Sequence, residues 1–305
     1  MQRYVARRLA QAILVVLGVS LVVFVVIRLS GNPAYLMLSP NATEAERAKL
    51  VRDLGLDRPV LVQYATFLRQ AVAGDFGRSL RYNQPALPLV LERLPATLQL
   101  TAAALIVSLL IAIPAGIAAA LCRKTVFDSL TMLAALFGQS MPVFWLGIML
   151  ILLFSVRFHV FPTSGSGGVE HLVLPALTLG LYSTARVTRL MRAGMLDVIG
   201  QDYVRTAWAK GLPGRTVVLK HALRNTLIPV VTIVGLELGT LLGGAVITET
   251  IFAWPGIGRL AVTAIFQRDY PLVQAVVLVT ALVFVACNLV VDLAYAWLDP
   301  RIRFD

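Results

Sequence analysis

The chain has 305 residues, of which 58% are apolar and 14% charged, and its net charge is +11. A soluble domain carries about 25% charged residues, so this composition excludes a disordered chain and argues against a compact water-soluble enzyme. It points to a polytopic membrane protein with Lys and Arg collected in its loops.

The first uncharged run, Leu9–Ile27, spans 19 residues with Gln11 and Ser20 as its polar interruptions. Arg3, Arg7 and Arg8 precede it, but it is longer than a signal-peptide core and no small-x-small cleavage pattern follows, so it reads as a retained anchor. The stretch 30–95 comes next and is the one place for a folded extramembrane unit. Thr43-Glu44-Ala45-Glu46 is a capping-box pattern that opens a short helix. Asp57-Arg58-Pro59 starts another, with Val60, Leu61, Tyr64, Phe67, Leu68 and Ala71 along one stripe. Gly74–Gly77 and the prolines Pro85, Pro88 and Pro95 then break the chain. A cap of small helices on the outer membrane face is expected.

Five further runs follow. They are Leu94–Cys122, then Asp128 to Arg157, Glu170 to Arg186, Arg224 to Glu249 interrupted by Glu237, and Asp269 to Asp299 interrupted by Asp292. A bilayer takes about 20 apolar residues as a helix, and the Glu170–Arg186 run falls short unless Arg186 and Arg189 snorkel. The sequence therefore predicts an all-α integral membrane protein with six transmembrane helices and a small helical extracytoplasmic insertion between the first two. Residues 1–29 hold the N-terminal tip and first span, 30–95 the insertion, 96–298 the core with spans two to six, and 299–305 the tail. With both termini inside, the inner segments carry 15 basic residues and the two short outer loops 3. That asymmetry sets the orientation, with N and C termini cytoplasmic. Cys122 and Cys287 each belong to an apolar run and read as packing residues.

Catalytic signals are thin. Gly211-Leu-Pro-Gly214-Arg-Thr216 lacks the spacing and lysine of a phosphate loop. No His or Cys pair stands at metal-ligand spacing, and no Ser/His/Asp arrangement stands out. The sequence offers no catalytic residue, no metal ligand and no nucleic-acid surface. The most informative stretch is the inner loop 186–224. Tyr203-Val-Arg-Thr-Ala-Trp-Ala-Lys210 reads as a short helix stopped by Gly211-Leu-Pro213-Gly214, and Leu219, Ala222, Leu223 and Leu227 begin a second helical pattern. Helix, glycine turn and helix present a rigid knob to a soluble protein. A basic loop lying on anionic headgroups is the plainer alternative.

Glu237, at the middle of the fifth run, costs about 2.5–3.5 kcal/mol on insertion scales and must face protein or water. It either lines the solute path or bonds to a neighbouring span. Asp292 is read as pairing with a nearby Arg, and Asn225 and Asn288 as hydrogen-bonding between helices. Gly235, Gly239 and Gly243 make a small-residue stripe that lets a partner membrane protein, or another helix of this chain, approach closely.

The inner loop resembles the conserved cytoplasmic loop of permease subunits of ATP-binding-cassette importers. Arg205-Thr206-Ala207, Gly211 and Leu227-Ile228-Pro229 occupy its Glu-Ala-Ala, Gly and hydrophobic-Pro positions. An Arg at the first of these and a glycine-to-proline distance of 18 residues are similar to the dipeptide/oligopeptide/nickel branch. Other pieces agree along nearly the whole chain: Gly55-Leu56-Asp57-Arg58-Pro59, Gly74-Asp75-Phe76-Gly77 with Ser79, Arg93-Leu94-Pro95-Ala96-Thr97, Pro142 to Gly147, Glu249-Thr-Ile-Phe252 and Pro255-Gly256-Ile-Gly258-Arg259. The long first outer segment resembles the first of the two paralogous permeases.

The resemblance implies a type I importer fold in the bacterial inner membrane and pairing with a second homologous permease along a shared path. It also implies two ATPase subunits that bind ATP and Mg, so that no cofactor sits in this chain, and a solute-binding protein that delivers peptides. Tyr203, Arg205, Thr206, Ala207, Lys210 and Gly211 would then contact an ATPase. Nickel chelates, haem or glutathione-like solutes are alternative cargoes. An ion-coupled carrier is disfavoured, since Glu237 and Asp292 alone offer no relay.

Overall fold

A computed structural model describes residues 2–29, 43–53, 55 and 57–298. The expected tail 299–305, the start of the insertion and the side chain of Asp292 lie outside the described residues. In chain order the helices are α1 (Gln2–Leu29), α2 (Glu44–Asp53), α3 (Val60–Val72), α4 (Ala86–Leu121), α5 (Val126–Ser140) and α6 (Val143–Leu150), the last prolonged by π-helical Ile151–Arg157. Then come α7 (Val169–Ile199), α8 (Asp202–Ala209), α9 (Leu223–Ile251), α10 (Ile257–Phe266) and α11 (Tyr270–Leu298). A single turn, Gly214–Thr216, and π-helical Val217–Ala222 lead into α9. The described residues divide into two compact units, one drawn from 2–95 and 256–286, the other from 96–255 and 287–298.

In the first unit the capping box forms as the pattern implies. The Thr43 amide and hydroxyl donate to Glu46 Oε2 at 2.8 and 3.0 Å, and the Glu46 amide returns to Thr43 Oγ1 at 3.3 Å. These bonds favour the carboxylate and hold the Glu46 carboxyl below its ordinary range. The expected placement of α3 needs correction. Its Tyr64 hydroxyl lies 2.7 Å from Ser20 Oγ and 3.2 Å from the Leu17 carbonyl, and its ring is 5.3 Å from that of Phe24. Leu17 and Ser20 fall at the middle of the apolar run Ala10–Leu29, so α3 packs beside the first span and does not cap its outer end. Aromatic packing decides this: Phe24 and Phe67 are buried together with Leu278. Leu61, expected on the buried stripe, is 82% exposed. Gln63 is buried in its place, donating to the Arg58 carbonyl at 2.5 Å.

A second core in this unit joins Ala86 and Val90 of α4, Ile257 and Ala264 of α10, and Leu272, Ala275 and Val276 of α11. Beside it Asp269, fully buried, accepts hydrogen bonds from Ser79 Oγ, from the Arg81 amide at 3.3 Å and from the Leu272 amide at 3.3 Å. It thus caps the first turn of α11 and ties the Gly74–Ser79 segment to it.

In the second unit α7 is the central helix. It buries Leu174, Ala176, Leu179, Val187, Met191 and Met195, and also Thr178, Ser183, Thr184 and Thr188. The α4–α7 crossing is close. A Cβ on Gly180 of α7 would lie 2.5 Å from the Ala104 carbonyl oxygen of α4, and one on Gly116 of α4 would lie 2.6 Å from Met191 Cβ of α7. Glycine at each point lets the two backbones meet.

Among the described residues four helices are long and apolar enough to cross a membrane: Ala10–Leu29, Ala86–Leu121, Pro229–Ile251 and Tyr270–Val291. The pair Val126–Ser140 and Val143–Arg157, bent by 107°, makes a fifth if taken as one span. The third run, expected as one straight span, is instead two helices at a sharp bend, the geometry of a broken span or a re-entrant loop. Met141 is extended (ψ 129°) ahead of Pro142, the conformation a residue before proline prefers. The fourth expected span, Glu170 to Arg186, corresponds to α7, whose 31 residues are long enough but which is not among the helices apolar enough to cross by composition. Its buried hydroxyls bond to its own carbonyls, as Thr178 to Leu174 and Thr184 to Gly180.

Candidate functional site: an elbow and an arginine ladder

The segment 201–225 folds as an elbow. Val204 and Ala207 of α8 close with Val217 into a small apolar cluster, flanked by Val198 and Leu212. At the end of α8 the Gly211 amide donates to the Trp208 carbonyl at 2.9 Å and the Leu212 amide to the Ala207 carbonyl at 3.4 Å. This paired pattern is a Schellman motif, and it requires the left-handed residue that Gly211 supplies at φ +72°. No atom lies within 4 Å of where a Gly211 Cβ would stand, so the need is for the backbone angle and not for room. The Trp208 ring passes over Gly214, whose added Cβ would be 3.0 Å from it. Asn225 Nδ2 donates to the Tyr203 hydroxyl at 2.6 Å and fixes α8 against the start of α9.

Of the six residues expected to contact a soluble partner, Tyr203, Arg205, Thr206, Lys210 and Gly211 are exposed. Ala207 is a correction: at 5% exposure it faces inward, because its methyl completes the cluster with Val204 and Val217. It seats the helix and offers no surface. Trp208, half exposed, is a further surface residue of α8.

Along α7 three arginines at three-residue spacing reach two neighbouring helices. Arg186 Nη1 meets Glu237 Oε1 of α9 at 2.6 Å. Arg189 donates to Gln139 of α5, and Arg192 grips Asp128 of α5 through Nε at 2.5 Å and Nη2 at 2.7 Å. The ladder resolves the two readings of Glu237 in favour of bonding to a neighbouring helix. Its side chain is 1% exposed and faces Arg186, so the path-lining expectation is corrected. The exposed member of the pair is Arg186, at 40%. Nothing in sequence spacing links positions 186 and 237; only the packing of α9 on α7 does.

The glycines of α9 do not act as one stripe. Gly235 is buried within this chain and Gly239 is half-buried. Gly243 is exposed, and no atom lies within 4 Å of where its Cβ would stand. Sequence patterning also missed a bond at the far end of α9. The Thr97 hydroxyl donates to the fully buried Glu249 at 2.6 Å, and Trp254 Nε1 donates to the Ala96 carbonyl at 2.8 Å. Two motifs 152 residues apart are thereby joined.

Among the described residues the chain is helical, with several helices long and apolar enough to cross a membrane and a helical elbow, which is the class of a multi-pass membrane protein. The family comparison is direct: residues 112–304 match the model for the inner membrane component of binding-protein-dependent transport systems, and residues 1–101 match its N-terminal companion. The chain belongs to this family. It is 42% identical to the dipeptide transport system permease protein DppB of Alkalihalophilus pseudofirmus, with 100% of both chains covered. It is 40% identical to the oligopeptide permease AppB of Bacillus subtilis and 44% to the glutathione permease GsiC of Escherichia coli K12, each at full coverage of both chains. Its fold is that of a solved chain of the MetNI methionine ABC transporter in an inward-facing form. The TM-score is 0.58 at 16% identity, over 69% of this chain and 96% of that one.

Proposed function

We propose that this permease forms half of the translocation pathway of an ATP-driven importer of dipeptides or oligopeptides. In this reading a second homologous permease completes the pathway, two ATPase subunits seat against the elbows, and a solute-binding protein delivers cargo from outside. ATP and Mg belong to the ATPases, this chain does no chemistry of its own, and both termini are cytoplasmic. The observation that carries the reading is the elbow itself. A Schellman-terminated helix, buttressed by its own apolar cluster, projects Tyr203, Arg205, Thr206, Trp208 and Lys210 from the foot of α7, and α7 holds α5 and α9 through its arginines. Push on α8 and α7 moves, and the helices clamped to α7 follow. Gly235, Gly239 and Gly243 are not assigned as one face toward the second permease; Gly243 alone is open to it.

The test is uptake of a labelled dipeptide by the reconstituted complex, with and without hydrolysable nucleotide, for wild type and Gly211→Val. The variant is expected to insert normally yet lose transport and lose stimulation of ATP hydrolysis. Unchanged uptake in Gly211→Val would overturn the docking role. Glutathione is the second reading, favoured by the 44% identity to GsiC, and competition of labelled dipeptide uptake by glutathione separates the two.

A further inference from the structure

Beside the elbow, Tyr203, Lys220, His221, Arg224 and Asn225 line an open, solvent-facing pocket of about 450 Å³. It shares Tyr203 with the coupling contact described above; Lys220, His221, Arg224 and Asn225 have no role there. Neither Lys220 nor Arg224 forms an ion pair with a described residue, and no carboxylate lines the space. Two cations beside one open pocket give it a positive potential that attracts an anion. The wall is built rather than adventitious: the 2.6 Å Asn225–Tyr203 bond closes one side, and the π-helical stretch Val217–Ala222 carries Lys220 and His221 on another. A π-helical insertion of this kind often marks a functional site.

Depth identifies the ligand. The apolar part of α9 begins at Pro229, five residues after Arg224, or about 7.5 Å along a helix. That is the thickness of a headgroup layer, which adds about 5–7 Å to each side of the hydrocarbon core. We propose that this cavity binds the phosphate of an anionic lipid headgroup, with Lys220 and Arg224 as its cationic contacts and the Tyr203–Asn225 pair as its polar wall. The bound lipid then links the elbow to the bilayer, so that α8 is braced from below as well as by its own apolar cluster. The proposal rests on membrane insertion of the chain and not on the identity of its cargo.

The experiment is native mass spectrometry of the full-length permease in neutral detergent, titrated with dioleoylphosphatidylglycerol, with dioleoylphosphatidylcholine and with inorganic phosphate. Wild type is expected to retain phosphatidylglycerol well above phosphatidylcholine. Lys220→Gln and Arg224→Gln should each weaken it about fivefold, the factor that corresponds to the surface attraction of one basic residue, and the double variant about 25-fold. Lys220→Arg with Arg224→Lys should restore binding, and Arg215→Gln, outside the cavity, should leave it unchanged. Equal loss in Arg215→Gln would mean a diffuse basic surface and overturn the site. Displacement of the lipid by inorganic phosphate alone would assign the cavity to a soluble phosphate and overturn the lipid source. If the double variant keeps its phosphatidylglycerol but loses association with the ATPase subunits, the cavity takes a protein carboxylate and the proposal fails.

Discussion

Glu237 and Arg186 act as one group held between α7 and α9. The carboxylate is 1% exposed and its partner 40%, so each neutralises a charge the helix bundle would otherwise reject. Removing Arg186 strands a buried carboxylate, whereas Arg186→Met with Glu237→Met removes both charges. Arg186→Met alone is expected to destabilise by about 1–3 kcal/mol, less than for a fully buried pair because the guanidinium is partly in contact with water. The double variant should recover most of that loss. Thermal unfolding of the four forms in detergent measures the difference; equal loss in single and double variants would show that packing, not charge, holds the helices. At Gly211 the demand is conformational, since φ is +72° and no atom crowds the site. Asparagine tolerates that angle better than a β-branched residue does. Gly211→Asn should therefore retain dipeptide uptake where Gly211→Val loses it.

The elements are placed by contacts that no single motif announces. The α4–α7 crossing depends on Gly180 against the Ala104 carbonyl and Gly116 against Met191, while the glycines visible as a stripe lie on α9. Gly180→Ala would force a methyl to within 2.5 Å of a backbone oxygen, and neither helix can yield without disturbing the Leu100–Leu179–Leu241 cluster. A loss of about 1–3 kcal/mol or more is expected, read as a lower unfolding temperature. Gly243→Ala, with open space around it, should unfold at the wild-type temperature in the isolated chain. The short family pieces also gain a physical meaning at this scale. Arg93–Thr97 and Glu249–Phe252 meet through Thr97 and Glu249, and Gly74–Ser79 meets the head of α11 through Ser79 and Asp269. A buried carboxylate needs a donor, and the partner hydroxyl comes from a distant segment. Such pairs were present in the sequence as separate words but not as contacts.

For the whole molecule, the proposed orientation with both termini cytoplasmic, which rests on the positive-inside bias, would put the elbow and the loop between α6 and α7 on opposite sides of the membrane. In a background of Cys122→Ser and Cys287→Ser, Ser166→Cys should react with a membrane-impermeant maleimide in intact cells. Lys210→Cys should react only after permeabilisation. Labelling of both from outside would reverse or refute the orientation. The sequence by itself determined the helical membrane class, the family, the elbow with its glycine stop and the capping box of α2, because these rest on local periodicity, turn chemistry and composition. Tertiary structure alone decided that α3 lies beside the middle of α1, that Met141-Pro142 breaks the third run by 107°, that Ala207 faces inward and that Glu237 answers Arg186. The physical reason is common to all four. A local pattern states that a residue needs an apolar, cationic or hydroxyl partner, but only the packing of distant helices says which one it meets.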